Sequence, residues 1–229
     1  MNRVMLPRLD GPPSVVEARV DAIGAKFGGL PFSWWLDPGT RPEELLAILR
    51  RLEPDATIAT IPAMALPLAG DPRPPAAGGP SREGRRSRAE LEVVTTPEGL
   101  AAAESLAAAG FGAPAELAIS IGSLFAGLHP AVAGQVLAVV ASLDGAPAST
   151  GLACLAGDVA GIYNVATLPA ARGLGLGAAV MTALIEAVRA REARLVVLET
   201  TEDGRPLYER LGFRIAGELQ VVSIDEPPA

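Results

Sequence analysis

The sequence predicts a mixed α/β fold in which helices flank a central sheet, and three observations point there. Between Gln135 and Thr167 three apolar, β-rich runs are separated by the turns Asp144-Gly145 and Gly157-Asp158, the pattern of consecutive antiparallel hairpins. After Thr167 come Gly173, Gly175 and Gly177 and then a helical stripe of Val180, Leu184 and Val188, widened by Met181 and Ile185. A continuous apolar run from Leu195 to Thr200 follows, so the helix crosses over between two parallel strands.

Composition narrows the classes of function. With 229 residues the chain can bury a full core, as one large domain or two small ones. Apolar residues make up 49% and charged residues 20%, and the net charge of −7 argues against nucleic acid as a general partner. The same charge suits an amine-bearing substrate. Cys154 is the single cysteine, which excludes an intramolecular disulfide and a cysteine zinc cluster and fits a reducing compartment. No metal site is expected. Neither a signal peptide nor a membrane span is visible, and a cytoplasmic protein is the expectation; whether it pairs with a second copy stays open.

In chain order, Val16, Val20 and Ile23 mark a modest helix over 15–27, and 30–36 reads as a strand. Trp34 and Trp35 share that strand and point to opposite faces, so one belongs to a core and the other either to a core or to a pocket. Thr40 and Glu43 match a capping box that opens a helix through Leu45, Leu46, Leu49 and Leu52. Residues 71–89, rich in Pro, Gly, Ser and Arg, have the composition of a linker between a first half, 1–70, and a second, 90–229. Arg82, Arg85, Arg86 and Arg88 there read as a solvated charge run.

Leu91 to Val94 forms a short strand, Thr95 and Glu98 another capping box, and the alanine-rich run after Leu100 a helix, with a second helix over Pro114 to Leu128. His129, the single histidine, precedes Pro130 and reads as a loop or surface residue. Cys154 lies among Leu152, Ala153 and Leu155 as a buried, inert thiol. Beyond Thr200, a short helix spans Gly204 to Leu211, and Phe213 to Leu219 and Val221 to Ile224 supply two closing strands.

The three glycines remove Cβ atoms where backbone N–H groups must approach an anion, and the helix they open directs its unsatisfied amides and the positive end of its dipole at the same place. A phosphate-bearing ligand fits there, and two classes compete for it. Gly173-x-Gly175-x-x-Ala178, with Glu199 about 20 residues on, matches the dinucleotide fingerprint of a nucleotide-binding oxidoreductase. Arg172-x-x-Gly175-x-Gly177 resembles the pyrophosphate loop of the GCN5-related N-acetyltransferase (GNAT) superfamily. A dinucleotide loop turns almost directly off its strand, whereas Leu168 to Arg172 intervene here. Tyr208-x-x-Leu211-Gly212-Phe213 then resembles the signature near the end of the acetyltransferases, and two motifs in the right order favour acyl transfer.

That resemblance implies a GNAT-type mixed sheet flanked by helices in 90–229, with acetyl-CoA as acyl donor and an unidentified primary amine as acceptor. It implies a cofactor site of Val165, Ala166 and Thr167 for the pantetheine arm, and of Arg172, Gly173, Leu174, Gly175, Leu176, Gly177 and Ala178 for the pyrophosphate. A backbone N–H near Val165 polarises the carbonyl, and Tyr208 is the acid for the departing thiolate. Glu199 is the candidate base, oriented by Asn164 or Tyr163. Thr201 and Gly204 depart from the Asn and Ala common in the family. Phe32 to Trp35 and Pro62 to Ala65 resemble the first half of two-part acetyltransferases, which makes 1–70 a degenerate copy whose turn at Asp37 holds no cofactor. A non-catalytic acyl-CoA sensor is the remaining alternative.

Overall fold

A computed structural model of the chain describes residues 2–5, 9, 11–40, 42–68, 89–116, 118 and 134–224. Two compact units result, Met1–Ala63 with Ile215–Ala229 and Met64–Arg214. The expected linker over 71–89 lies outside the described residues except at Ala89, as do His129 and most of the helix expected over Pro114 to Leu128.

In the first unit β1 (Asn2–Met5), β2 (Phe32–Leu36), β9 (Arg214–Ile224, from Ile215) and β3 (Thr57–Pro67, as far as Ala63) follow one another in the order β1-β2-β9-β3. β1 runs parallel to β2, and β2 antiparallel to β9, with Trp34 opposite Val222. Helix α1 (Pro13–Ala25) buries Val16 and Val20. Helix α2 (Pro42–Leu52) buries Leu45, Leu46 and Leu49 and has Glu43 and Glu44 in its first turn and Arg50 and Arg51 in its last, signs that match the helix dipole at each end. Arg51 also pairs with Glu17 of α1. Both tryptophans are buried, and the Trp35 indole N–H donates to Ser33 Oγ at 2.9 Å.

The second unit orders its strands β3-β8-β7-β6-β5-β4. β4 (Ala89–Val94), β5 (Val136–Leu143), β6 (Ala146–Ala156) and β7 (Val159–Thr167) pair antiparallel in sequence, as the turn chemistry predicts, with Asp144 and Gly145 both at positive φ in the first hairpin. β8 (Leu195–Glu199) lies parallel to β7, the crossover being α4 (Leu176–Arg189). Strand alternation sorts the core into two layers. Leu137, Val139 and Ala141 of β5 pack with Val180, Leu184 and Val188 of α4, whereas Val136, Ala138 and Val140 pack with Leu100 and Ala103 of α3 (Pro97–Gly110). One sheet with a helix layer on each face is thus observed, as expected.

Two local readings change. Helix α3 is capped by Thr96, not Thr95: its Oγ1 accepts from Gly99 N at 3.1 Å, and Pro97 takes the first helical position, where its missing N–H costs nothing. The two closing strands are one continuous strand, β9, because Gly217 and Gln220 stay extended within it. The boundaries of the compact units fall within β3 and β9, and the strand that pairs with β2 comes from 220–224.

Candidate active site

The site begins where β7 leaves β8. Val159 to Ile162 pair in parallel with Leu195 to Leu198, and the pairing stops there. Just beyond, the register between β6 and β7 jumps: Leu152 faces Tyr163 and Thr150 faces Ala166, so Asn164 and Val165 together oppose Gly151. This is a β-bulge, and Asn164 has the positive φ of 53° that one of its residues often needs. Asn tolerates this region better than most side chains. Gly151 leaves the opposite strand room for it, since a Cβ there would lie 2.9 Å from Leu184 Cδ1 and 3.1 Å from Val165 Cγ2. The consequence is a backbone edge over 163–167 that, on the side away from β6, pairs with no strand among the described residues.

The glycine loop stands at the end of that edge. Gly173 and Gly175 have φ of 79° and 80°, and a Cβ on either would meet nothing within 4 Å. Gly175 is the N-cap of α4 and no side chain caps the helix, whose first internal bond runs from Ala179 N to Gly175 O. The amides of Leu176, Gly177 and Ala178 therefore have no acceptor within the helix. A Cβ on Gly177 would sit 3.7 Å from Thr167 Oγ1 and 3.8 Å from Leu207 Cδ2, so the end of β7, the helix start and the helix carrying Tyr208 meet at this glycine. Leu174 is exposed and Leu176 buried. Ser149, fully buried, donates to Ala166 O at 2.9 Å and lies 2.8 Å from Thr167 Oγ1, fixing the strand end. Arg172 turns back instead of outward: its guanidinium donates to Thr167 O at 3.2 Å and Gly110 O at 2.9 Å, tying the loop to the C-terminal carbonyls of α3.

Tyr208 lies on α5 (Arg205–Arg210), buried, with its ring edge-on to Phe213 at 5.9 Å. Burial raises its pKa, so the phenol holds its proton. Gly204 is spatially required here, because a Cβ would come within 2.9 Å of Thr200 Oγ1 and 3.2 Å of Tyr208 Cε2. Thr201 Oγ1 accepts from Gly204 N at 3.3 Å and so starts the helix. The two departures from the family pattern thus serve the turn into α5.

Glu199 ends β8, half-buried, on the face opposite Val196 and Leu198. Tyr163 folds over Gly161, where a Cβ would be 2.6 Å from its hydroxyl oxygen, and its pKa is raised chiefly by burial, with Cys154 and Glu199 nearby adding to the rise. Asn164 reaches toward α3. Its Nδ2 donates to Glu104 Oε2 at 2.7 Å, and Glu104 is a buried carboxylate of α3. Burial pushes the Glu104 pKa to about 7, against the opposing pull of the Asn164 hydrogen bond. The same carboxylate, after burial, helps raise the Cys154 thiol, which stays protonated and unreactive. Glu104 was not among the residues expected in the site. Its signal was a lone acid on a stripe otherwise made of Leu100, Ala103, Ala107 and Ala108.

Among the described residues no three His, Cys, Asp or Glu side chains gather as a metal site, and no helix is long and apolar enough to cross a membrane.

Comparison with known proteins gives concordant results. The model of the acetyltransferase (GNAT) family matches residues 122–213. A 5-NmdU N-acetyltransferase of Pseudomonas phage PaMx11 is 37% identical over 57 residues, 25% of this chain and 41% of the relative. A glucosamine 6-phosphate N-acetyltransferase of Trypanosoma brucei brucei is 42% identical over 53 residues, 23% of this chain and 36% of the relative. These matches thus span well under half of either relative's length. Among solved structures, a GCN5-related N-acetyltransferase from Kribbella flavida superposes with a TM-score of 0.64 over 99% of this chain and 82% of its own, at 20% identity, a likeness of fold.

Proposed function

We propose that the chain, whose residues 122–213 match the model of the acetyltransferase (GNAT) family, moves an acetyl group from acetyl-CoA to a primary amine by direct attack on the thioester. The observation that carries this reading is the bulged, unpaired edge of β7 leading straight to an uncapped, glycine-walled helix start. An extended pantetheine arm takes the place of the missing strand along Val165, Ala166 and Thr167, and the amides from Gly173 to Ala178 receive the pyrophosphate. Arg172 acts indirectly, by bracing the loop.

In the transfer itself the amine nitrogen bonds to the thioester carbon while an N–H near Val165 receives the carbonyl oxygen. The C–S bond breaks, the thiolate takes its proton from Tyr208, and the proton that the new amide nitrogen sheds returns to the tyrosinate. Glu199 attracts the ammonium form of the acceptor and accepts its proton before attack. Residues 1–70 hold no cofactor in this reading: the turn after β2 carries Asp37, whose Oδ1 accepts from Gly39 N at 2.5 Å, where a loop for phosphate has open amides. A half-buried single cysteine asks for no oxidising compartment, in keeping with a cytoplasmic enzyme.

Specificity for the acceptor resides in the elements around β7 and β8 and is not carried over from either relative. The test is a panel of amines assayed for thiol release from acetyl-CoA, with calorimetry to count sites. We expect one acetyl-CoA per chain and release with at least one amine. Tight binding with no release across the panel would replace the enzyme by an acyl-CoA sensor, and absence of binding would remove both.

A further inference from the structure

The β7 bulge is held from outside its own sheet. Asn164 stands in the left-handed region, which Asn tolerates better than most side chains but which still favours glycine. Its Nδ2 is bonded at 2.7 Å to a carboxylate on α3, 60 positions earlier in the chain. That carboxylate is itself in an unfavourable place. Glu104 is 2% exposed on a helix whose neighbouring buried positions are leucine and alanine, and an apolar residue there would pack without leaving a charge to desolvate. A strained asparagine and a buried acid, each unfavourable alone, are joined at the place where the strand must present an amide outward.

We propose that Glu104 is a positioning residue for the transfer step: through Asn164 it holds the bulge, and with it the N–H that receives the thioester oxygen. This rests on the acetyl-transfer reading, but the contact itself does not. Ionisation of Glu104 strengthens its hold on Asn164, because a charged acceptor makes the stronger hydrogen bond. On the sheet face under α3 stand Cys154 on β6, whose thiol feels the Glu104 carboxylate, and beyond it Tyr163 on β7 and Glu199 on β8; burial raises the thiol and the phenol, which both stay protonated at neutral pH. β5 presents only Val136, Ala138 and Val140 to that layer.

The experiment follows the Asn164 side-chain and backbone amide signals by NMR from about pH 5 to pH 9, alongside the pH profile of kcat, in the wild type, Glu104→Gln and Glu104→Ala. In the wild type both Asn164 signals shift with a midpoint near the Glu104 pKa of about 7, and kcat rises through the same range. Glu104→Gln keeps an acceptor for Asn164 and removes both inflections. Glu104→Ala lowers kcat by about tenfold or more while leaving the Kd for acetyl-CoA within about twofold, the pattern of lost positioning. Asn164 signals that do not titrate, or that titrate equally in Glu104→Gln, overturn the proposal whether or not an acceptor is in hand. An active enzyme whose kcat is indifferent to Glu104→Ala overturns it too, whereas a wild type that transfers to no amine while Asn164 titrates as described refutes acetyl transfer and leaves the clamp.

Discussion

Replacing Glu104 by glutamine should stabilise the protein, and increasingly so as pH rises. Burial raises this carboxyl from 4.5 to about 7, so the folded state holds its proton more tightly than the unfolded chain does. By linkage the stability this group confers is complete below its unfolded pKa, falls as pH rises through the folded one, and is lost above it. The gap between the two values amounts to about 3 kcal/mol between the limits, of which about 2 kcal/mol falls between about pH 5.5 and about pH 8.5. Glutamine has nearly the same shape and still accepts from Asn164 but never ionises, so other titrating groups cancel when the two proteins are compared. The assay is urea unfolding followed by far-UV circular dichroism at several pH values, because Trp34 and Trp35 both lie in the first unit and their fluorescence would report on the wrong one. Parallel stability curves for the two proteins would refute the reasoning, since they would mean that Glu104 ionises in the fold as easily as in water.

Gly175→Glu places a charged side chain at positive φ against the open amides of α4, and calorimetry should show acetyl-CoA binding abolished; retained affinity would put the pyrophosphate elsewhere. Tyr208→Phe removes only the proton donor and should lower kcat by about 10²-fold with the Kd for acetyl-CoA unchanged, as single-turnover assays on a true acceptor would reveal. Gly151→Ala pushes a methyl against Leu184 Cδ1 and Val165 Cγ2 at 2.9 and 3.1 Å, an overpacking that should cost about 1–3 kcal/mol in chemical denaturation.

Much of the second unit was legible because its signals are local. The turns at Asp144-Gly145 and Gly157-Asp158 set the hairpins, and the stripe Val180, Leu184, Val188 set the crossover helix, each within a window of a few residues. The glycine loop was legible for the same reason, and its openness follows from the φ values at Gly173 and Gly175. The bulge was not, since it exists only in the count of residues between two strands: nothing in Asn164 or Val165 announces that both face Gly151. Glu104 escaped notice because its meaning depends on a partner 60 residues away, and the contacts of Arg172 with two backbone carbonyls, one of them on α3, were hidden for the same reason. The capping shift from Thr95 to Thr96 turned on one residue of register, which two adjacent threonines leave undecided until Pro97 takes the first helical position.

The pairing of Phe32–Leu36 with Gln220–Ile224 imposes an order on how the chain can acquire its structure as it is made. On the ribosome everything from Met64 to Arg214 emerges before the strand that β2 requires, so the second unit can form while the first still lacks a member of its sheet. Phe32, Trp34 and Leu36, all buried in the finished protein, must wait in the nascent chain for a partner synthesised almost a full length later. Early chain termination, or a ribosomal pause before residue 215, would leave those side chains exposed beside an already folded second unit. The core around Trp34 is thus completed by residues made after the whole second unit.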